Sequence, residues 1–239
     1  MSRYVHVEDR EGVALVRIDR PPANAMDLDL LEEGHAVLDE LARAEPGAVV
    51  LTGRDSFFSA GLDLKLAPTL DAEGQRAMGA GINRLFAGWY GFPRPVVCAV
   101  NGHAIAGGMI LALCGDHRVG PQEGRFGLTE LRAGVPYPSV ALAVVRAELS
   151  PPVVRQLALR AQLFDPEQAL RWGVVDELSG PADLLPRALE VAGDLAALPT
   201  ATYAVVKRQL RGQVVEAALA QEGPAEGMDP EAARSILGG

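Results

Sequence analysis

Two segments, FSAGLDL (58–64) and GHAIAGGM (102–109), gather small residues where the chain leaves apolar, extended stretches. A strand that runs into such a turn is expected to leave backbone N–H groups pointing outward without partners. The Ala60-Gly61 pair lets a ligand approach that backbone closely. In the second segment Gly107 and Gly108 open a helix, whose first-turn N–H groups and dipole favour negative charge. Taken alone, each segment reads as a plain strand-to-helix turn or a packing glycine. Together they offer two N–H donors from two separate turns, which is what a thioester oxygen needs as it takes on enolate charge. Glu130, in FGLTE (126–130), adds a carboxylate, although a glutamate beside Arg132 reads on its own as a surface charge.

The elements that must hold these segments can be read from pattern and punctuation. Residues 4–8 and 13–18 alternate around Asp9-Arg10-Glu11-Gly12 and predict a β-hairpin. Asp27 or Asp29 can cap a helix running to about residue 44, with Leu28, Leu31, Leu38 and Leu41 on one face. Residues 48–51 and 95–100 read as short apolar strands and 117–119 as a third short strand, the first followed by a loop, FFSAGLDL, and a helix over about 71–89. Asn101-Gly102-His103 turns the chain, and residues 107–113 form a helix closed by Gly115. Strands this apolar, separated by helices, favour buried parallel pairing. From about Ser139 the chain reads as helical: 151–160, a segment opened by Asp165-Pro166 and ended at Gly173, then 184–198 and 200–219. Residues 223–227, GPAEG, punctuate a polar tail. The organisation predicted is a core over 1–195 and a helical region with a tail over 196–239.

Composition removes several function classes. A net charge of −9 and the absence of any Lys/Arg run argue against nucleic acid. The segment MSRYVHVEDREG has no apolar core, and stretches such as AIAGGMILALCG are too short to span a bilayer, so no signal peptide, no membrane partner and a cytoplasmic location are expected. Cys98 and Cys114 sit in apolar runs and read as buried hydrophobes. His6, His35, His103 and His117 are scattered, so no metal is expected.

The order RPPANAMD (20–27), FSAGLDL (58–64), PRPVVCAVNGHAIAGGMILALCGDHRV (93–119), FGLTELRAGVPY (126–137) and ALRWGVVDEL (169–178) resembles the enoyl-CoA hydratase/isomerase family over about residues 3 to 210. The resemblance implies an α/β fold, a crotonase-like spiral of β-β-α units with C-terminal helices that build trimers or dimers of trimers. It implies an acyl-CoA thioester as substrate, with coenzyme A part of that substrate and no separate cofactor. Ala60 and Gly107 match the residues that supply the two oxyanion-hole N–H groups. The stretch Ala60, Gly61, Leu62, Asp63 matches the lining of the thioester and pantetheine, Asp63 through its backbone alone. Ala23, Ala25 and Met26 match the segment at the adenosine end, and Gly108 and Ile110 belong to the second oxyanion segment.

Family members that hydrate use two carboxylates, one three residues after the second oxyanion glycine and one in the FG-x-x-E segment. Here those positions hold Ile110 and Glu130. Read with the resemblance, Glu130 becomes the catalytic candidate. One carboxylate in a dry pocket can move a proton from C2 to C4, which shifts a double bond without placing a water. The pattern is similar to the Δ3,Δ2-enoyl-CoA isomerases of fatty-acid or related acyl-CoA breakdown. The alternatives are a hydratase in which Arg132, Tyr137 or Ser139 replaces the missing carboxylate, thioester hydrolysis or decarboxylation, and a catalytically silent acyl-CoA binder. Asp116-His117-Arg118 reads as a structural polar cluster, and His103 as structural too.

Overall fold

The hairpin forms as its alternation predicts: β1 (Val5–Arg10) and β2 (Val13–Ile18) pair antiparallel, and Asp9 accepts the Gly12 N–H at 3.1 Å in the turn. This is a computed structural model that describes residues 2–66 and 69–220, so the 223–227 segment lies outside the described residues. Asp27 caps α1 (Leu28–Ala44) by accepting the Leu30 N–H at 2.9 Å, satisfying one of the donors a first turn leaves free.

Three β-β-α turns of chain follow. The first is β3 (Ala48–Thr52), β4 (Phe57–Ser59) and α2 (Ala72–Tyr90), the helix capped by Asp71. The second is β5 (Val96–Ala99), β6 (His103–Ile105) and α3 (Gly107–Leu113). The third begins with β7 (His117–Pro121) and β8 (Phe126–Gly127), and its helical part is α4 (Ser139–Glu148). Then come α5 (Pro151–Arg160), α6 (Pro166–Arg171), β9 (Glu177–Ser179), α7 (Leu184–Ala196) and α8 (Thr200–Leu219).

In each turn the first strand enters a six-stranded sheet, ordered β1-β2-β3-β5-β7-β9, and the second enters a three-stranded sheet, ordered β4-β6-β8. All pairs after the hairpin are parallel. Both faces of the sheet's centre are covered, so β3 and β5 there are almost wholly apolar, while the edge strand β1 is largely exposed. Val49, Leu51, Val96 and Cys98 face α1, α2 and α3, while Val50, Val97, Ala99 and Val119 face Leu184, Ala188, Val191 and Ala192 of α7. Cys98 and Cys114 are free and fully buried.

Three expectations need correction. The 57–64 stretch is not all loop: its first three residues are β4. His103 is not only a turn residue but the first residue of β6. The C-terminal third is not wholly helical, because β9 adds an edge strand there. Among the described residues no helix is long and apolar enough to cross a membrane.

Candidate active site

The spiral brings the ends of the small sheet's strands together. After β4 the chain turns at Ala60-Gly61, and after β6 it turns at Ala106 into α3, so the two small-residue segments lie side by side. Their approach is close. A Cβ on Gly61 would stand 2.7 Å from the Gly107 nitrogen, and Gly61 has φ +78°, a conformation that costs glycine little. The third strand, β8, leads into a turn over 129–134 that carries Glu130.

These three turns wall a cavity of about 70 Å³ with Met26, Ala60, Gly107, Ile110 and Glu130 on its surface, and Leu62 beside them. The rest of the wall is apolar, from Ile82 and Phe86 of α2 to Ala141 of α4. A larger open cleft of about 680 Å³ runs past Asp55, His103, Arg125 and Asp165, but it holds no buried carboxylate. Volume therefore does not mark the site; a buried carboxylate in an apolar cavity does.

Glu130 is 7% exposed, and its Oε2 is buried without a hydrogen-bond partner among the described residues. Burial raises its pKa from the ordinary 4.5 to about 7, opposed in part by its own backbone N–H and by Tyr137. Arg132 is exposed and does not pair with it, so the salt-bridged surface glutamate expected from the sequence alone is not what forms. Ile110 is 1% exposed and brings no polar atom to the same wall.

The N–H groups are less free than the sequence predicts. Ala60 donates to the Ala23 carbonyl at 3.0 Å, and Gly61 donates to the Ser59 Oγ at 3.1 Å. The Gly107 N–H, at the first position of α3, has no acceptor among the described residues. Of the two N–H groups matched to an oxyanion hole, Ala60 and Gly107, only that of Gly107 is unspent among the described residues. The reason for the difference is tertiary: residues 23–26 run beside 60–63 as a short parallel bridge. In it Met26 donates to the Gly61 carbonyl at 2.7 Å, and Asp63 donates to the Met26 carbonyl at 2.9 Å.

That bridge also engages Asp63, expected to take part through its backbone. Its backbone N–H is spent on Met26, while its carboxylate takes Arg20 at 3.0 Å and the Lys65 N–H at 3.0 Å. Arg20, Asp27 and Asp63 line a separate cleft next to the cavity. Ala23 and Ala25 reach neither cavity wall; their carbonyls accept from Ala60 and from Arg20 at 3.1 Å. Gly108 is a packing glycine, since a Cβ there would sit 2.0 Å from the Ser59 carbonyl oxygen. Asn24, which sequence reasoning passed over, ties the two loops together: its side chain donates to the Phe57 carbonyl at 2.9 Å, and its carbonyl accepts the Ser59 hydroxyl at 2.7 Å. The ANAMD stretch carried it in plain view, but its partners lie more than thirty positions away.

The polar cluster after α3 is structural, as the sequence suggested. Asp116 accepts Lys207 at 2.6 Å and Arg211 at 2.9 Å, Arg118 pairs with Asp176 at 3.2 Å, and His117 meets Glu177 at 2.8 Å. The His103 ring packs on Phe57, with centroids 4.7 Å apart. Among the described residues no group of His, Cys, Asp or Glu could hold a metal ion.

Two sheets wound from β-β-α turns, parallel apart from the N-terminal hairpin, with a site where three strand ends meet, define a crotonase-fold protein. The chain belongs to the enoyl-CoA hydratase/isomerase family, whose sequence profile matches residues 8–228. It is 32% identical to a carnitinyl-CoA dehydratase of Escherichia coli (strain SMS-3-5 / SECEC) over 216 residues, 88% of this chain and 81% of that one. A probable enoyl-CoA hydratase of Mycobacterium tuberculosis superposes with a TM-score of 0.87 at 30% identity, covering 99% of this chain and 98% of the other. Human mitochondrial delta3-delta2-enoyl-CoA isomerase gives 0.87 at 25%, covering 99% and 91%. Crotonase-superfamily enzymes of both kinds, water-adding or water-removing and isomerising, are therefore among its relatives.

Proposed function

We propose that the protein is a Δ3,Δ2-enoyl-CoA isomerase. The observation that carries this is one buried carboxylate, Glu130, its pKa raised to about 7, facing an apolar cavity in which position 110 is isoleucine. An acyl-CoA thioester suits the family and suits the cavity, whose one charge-bearing wall lies beside an unspent N–H. Glu130 takes the proton from C2 of a 3-enoyl thioester. The C–H electron pair delocalises into a dienolate, and charge gathers on the thioester oxygen. The Gly107 N–H, at the positive end of α3, stabilises that oxygen, and Ala60 joins it by sharing the N–H it gives to Ala23. Glu130 then returns the proton to C4, leaving the double bond between C2 and C3. A carboxyl poised near neutral pH exchanges a proton in both directions with little penalty.

A second reading, water addition or removal, is favoured by the dehydratase relative and by the buried, unpartnered Tyr137 and Ser139 hydroxyls. Purified protein assayed in parallel on 3-enoyl-CoA and on 2-enoyl-CoA plus water separates the two. Fast isomerisation with weak hydration, both lost in Glu130→Gln, is the expected result. Fast hydration overturns the isomerase reading, and no turnover with tight CoA-ester binding leaves the silent binder. An assembly belongs to the same proposal: α8 exposes Val205, Val206 and Leu210, and a homotrimer or dimer of trimers covers such a face.

A further inference from the structure

Among the described residues Tyr137 is the one side chain that acts on the Glu130 carboxyl, and the chain goes to some length to fix it. Tyr137 stands between Pro136 and Pro138. The ring of Pro136 locks its own backbone angle, and Pro138 confines Tyr137 to extended conformations. The turn that connects Tyr137 to Glu130 is closed by the Val135 N–H donating to the Glu130 carbonyl at 3.0 Å, with Gly134 at φ +64°. The tyrosine ring packs against the main core, which leaves the hydroxyl little choice of position.

That hydroxyl is buried and, like Glu130 Oε2, has no hydrogen-bond partner within bonding geometry among the described residues. Among the described residues five buried side-chain polar atoms share this condition, and two of them are this neighbouring pair. Buried polar atoms without partners are costly, so a pair held side by side in that state has a use. The other elements around Glu130 contribute no ionisable group. From α2 come Ile82 and Phe86, from α3 Ile110, from α4 Ala141, and from the 60–64 loop Leu62 and Leu64. The groups that act on the carboxyl are its own N–H and the Tyr137 hydroxyl.

We propose that Tyr137 is the positioning residue for Glu130. Its hydroxyl donates to Oε2 of the ionised carboxylate, orienting the other oxygen toward the cavity. This rests on the reading of Glu130 as the proton carrier. The role is a divided one: burial makes the carboxyl basic, and a hydrogen bond that is stronger to the ionised form keeps it from remaining protonated. The tyrosine itself stays neutral and a donor, because burial and the nearby carboxylate both push its own ionisation upward.

The test is a ¹³C-glutamate NMR titration of the full chain, with the Glu130 carboxyl signal assigned by its loss in Glu130→Gln. Wild type is expected to titrate near 7. In Tyr137→Phe, which keeps the ring and its packing, the midpoint is expected to rise by about one pH unit, a tenfold change in proton affinity. The acidic limb of kcat/KM for 3-enoyl-CoA should move upward with it. Meanwhile kcat should fall about tenfold at pH 7 and KM should change little. A midpoint that stays in place or moves down overturns the proposal, because a merely structural tyrosine would leave it there. The two failures are separable. A protein that isomerises normally with an unmoved midpoint loses the Tyr137 role alone. One whose midpoint moves but which turns over no enoyl thioester loses the isomerase reading alone.

Discussion

Two regions of this protein bury charge, and they do so in opposite ways. Around Asp116 every buried charge is matched. The carboxylate receives Lys207, Arg211 and the Val96 N–H, and Arg211 also reaches Glu148 and the carbonyls of Tyr90, Cys114 and Gly115. Glu148 in turn holds Arg118, which also holds Asp176. Around Glu130 no opposite charge answers the carboxyl among the described residues: one of its oxygens has no partner, and the nearby Gly107 N–H has none either. The first region joins α8 to the core, and desolvated ions there are tolerable because each is met by another. The second keeps its groups unspent, and an unspent group is available to a ligand. Buried charge alone therefore does not distinguish architecture from chemistry, whereas whether the charge is satisfied does.

The sharpest way to break this contrast is Glu130→Gln. It keeps the size of the side chain and removes the proton carrier, so the isomerisation rate should fall about a thousandfold, while CoA-ester affinity measured by calorimetry holds. Retained turnover would make Glu130 another structural charge. In the matched region the effect should be on stability. Lys207→Met leaves Asp116 buried with Arg211 and the Val96 N–H, so the loss should be at the low end for a broken buried pair, about 3 kcal/mol, read from urea unfolding. Turnover per folded molecule should not change; a large drop would mean that α8 reaches the chemistry.

Next comes Gly61→Ala. Its Cβ would stand 2.7 Å from the Gly107 nitrogen and 3.0 Å from the Ile105 carbonyl oxygen, at φ +78°. Covering that donor should cost about a hundredfold in kcat, with a smaller loss of stability from the strained backbone. A folded variant with normal kcat would remove the Gly107 N–H from the reaction.

How much of this was legible in the sequence follows from how far apart the partners lie. The helix starts were legible because Asp27, Asp71 and Asp165 each bond an N–H three residues on. The small sheet was not, since β8 has two residues and β4 and β6 have three, too few to show a period. The strand-end segments could be picked out by their small residues, whereas Glu130 could be nominated only through the resemblance to the family, since alone it reads as a surface charge. That Ala60 spends its N–H on Ala23, or that Asp116 waits for Lys207, depends on which distant segments meet. No local pattern encodes that.

The smallest expected effect is the most direct measure of the contrast. Because burial raises the folded-state pKa of Glu130 from 4.5 to about 7, the folded protein binds this proton more tightly than the unfolded chain does. Stability linked to Glu130 is therefore full below pH 4.5 and is lost as pH rises through about 7. Such a shift corresponds to about 3 kcal/mol at most. Glu130→Gln does not titrate, so at pH 8 it should be more stable than wild type. The gain should be nearer to 2 kcal/mol, since the new amide is itself buried without a full set of partners. At pH 4 the gain should vanish. Urea unfolding of both proteins across this range tests it: curves that run parallel from pH 4 to pH 8 would mean that Glu130 carries no burial penalty, and the distinction between the two regions would fail at its source.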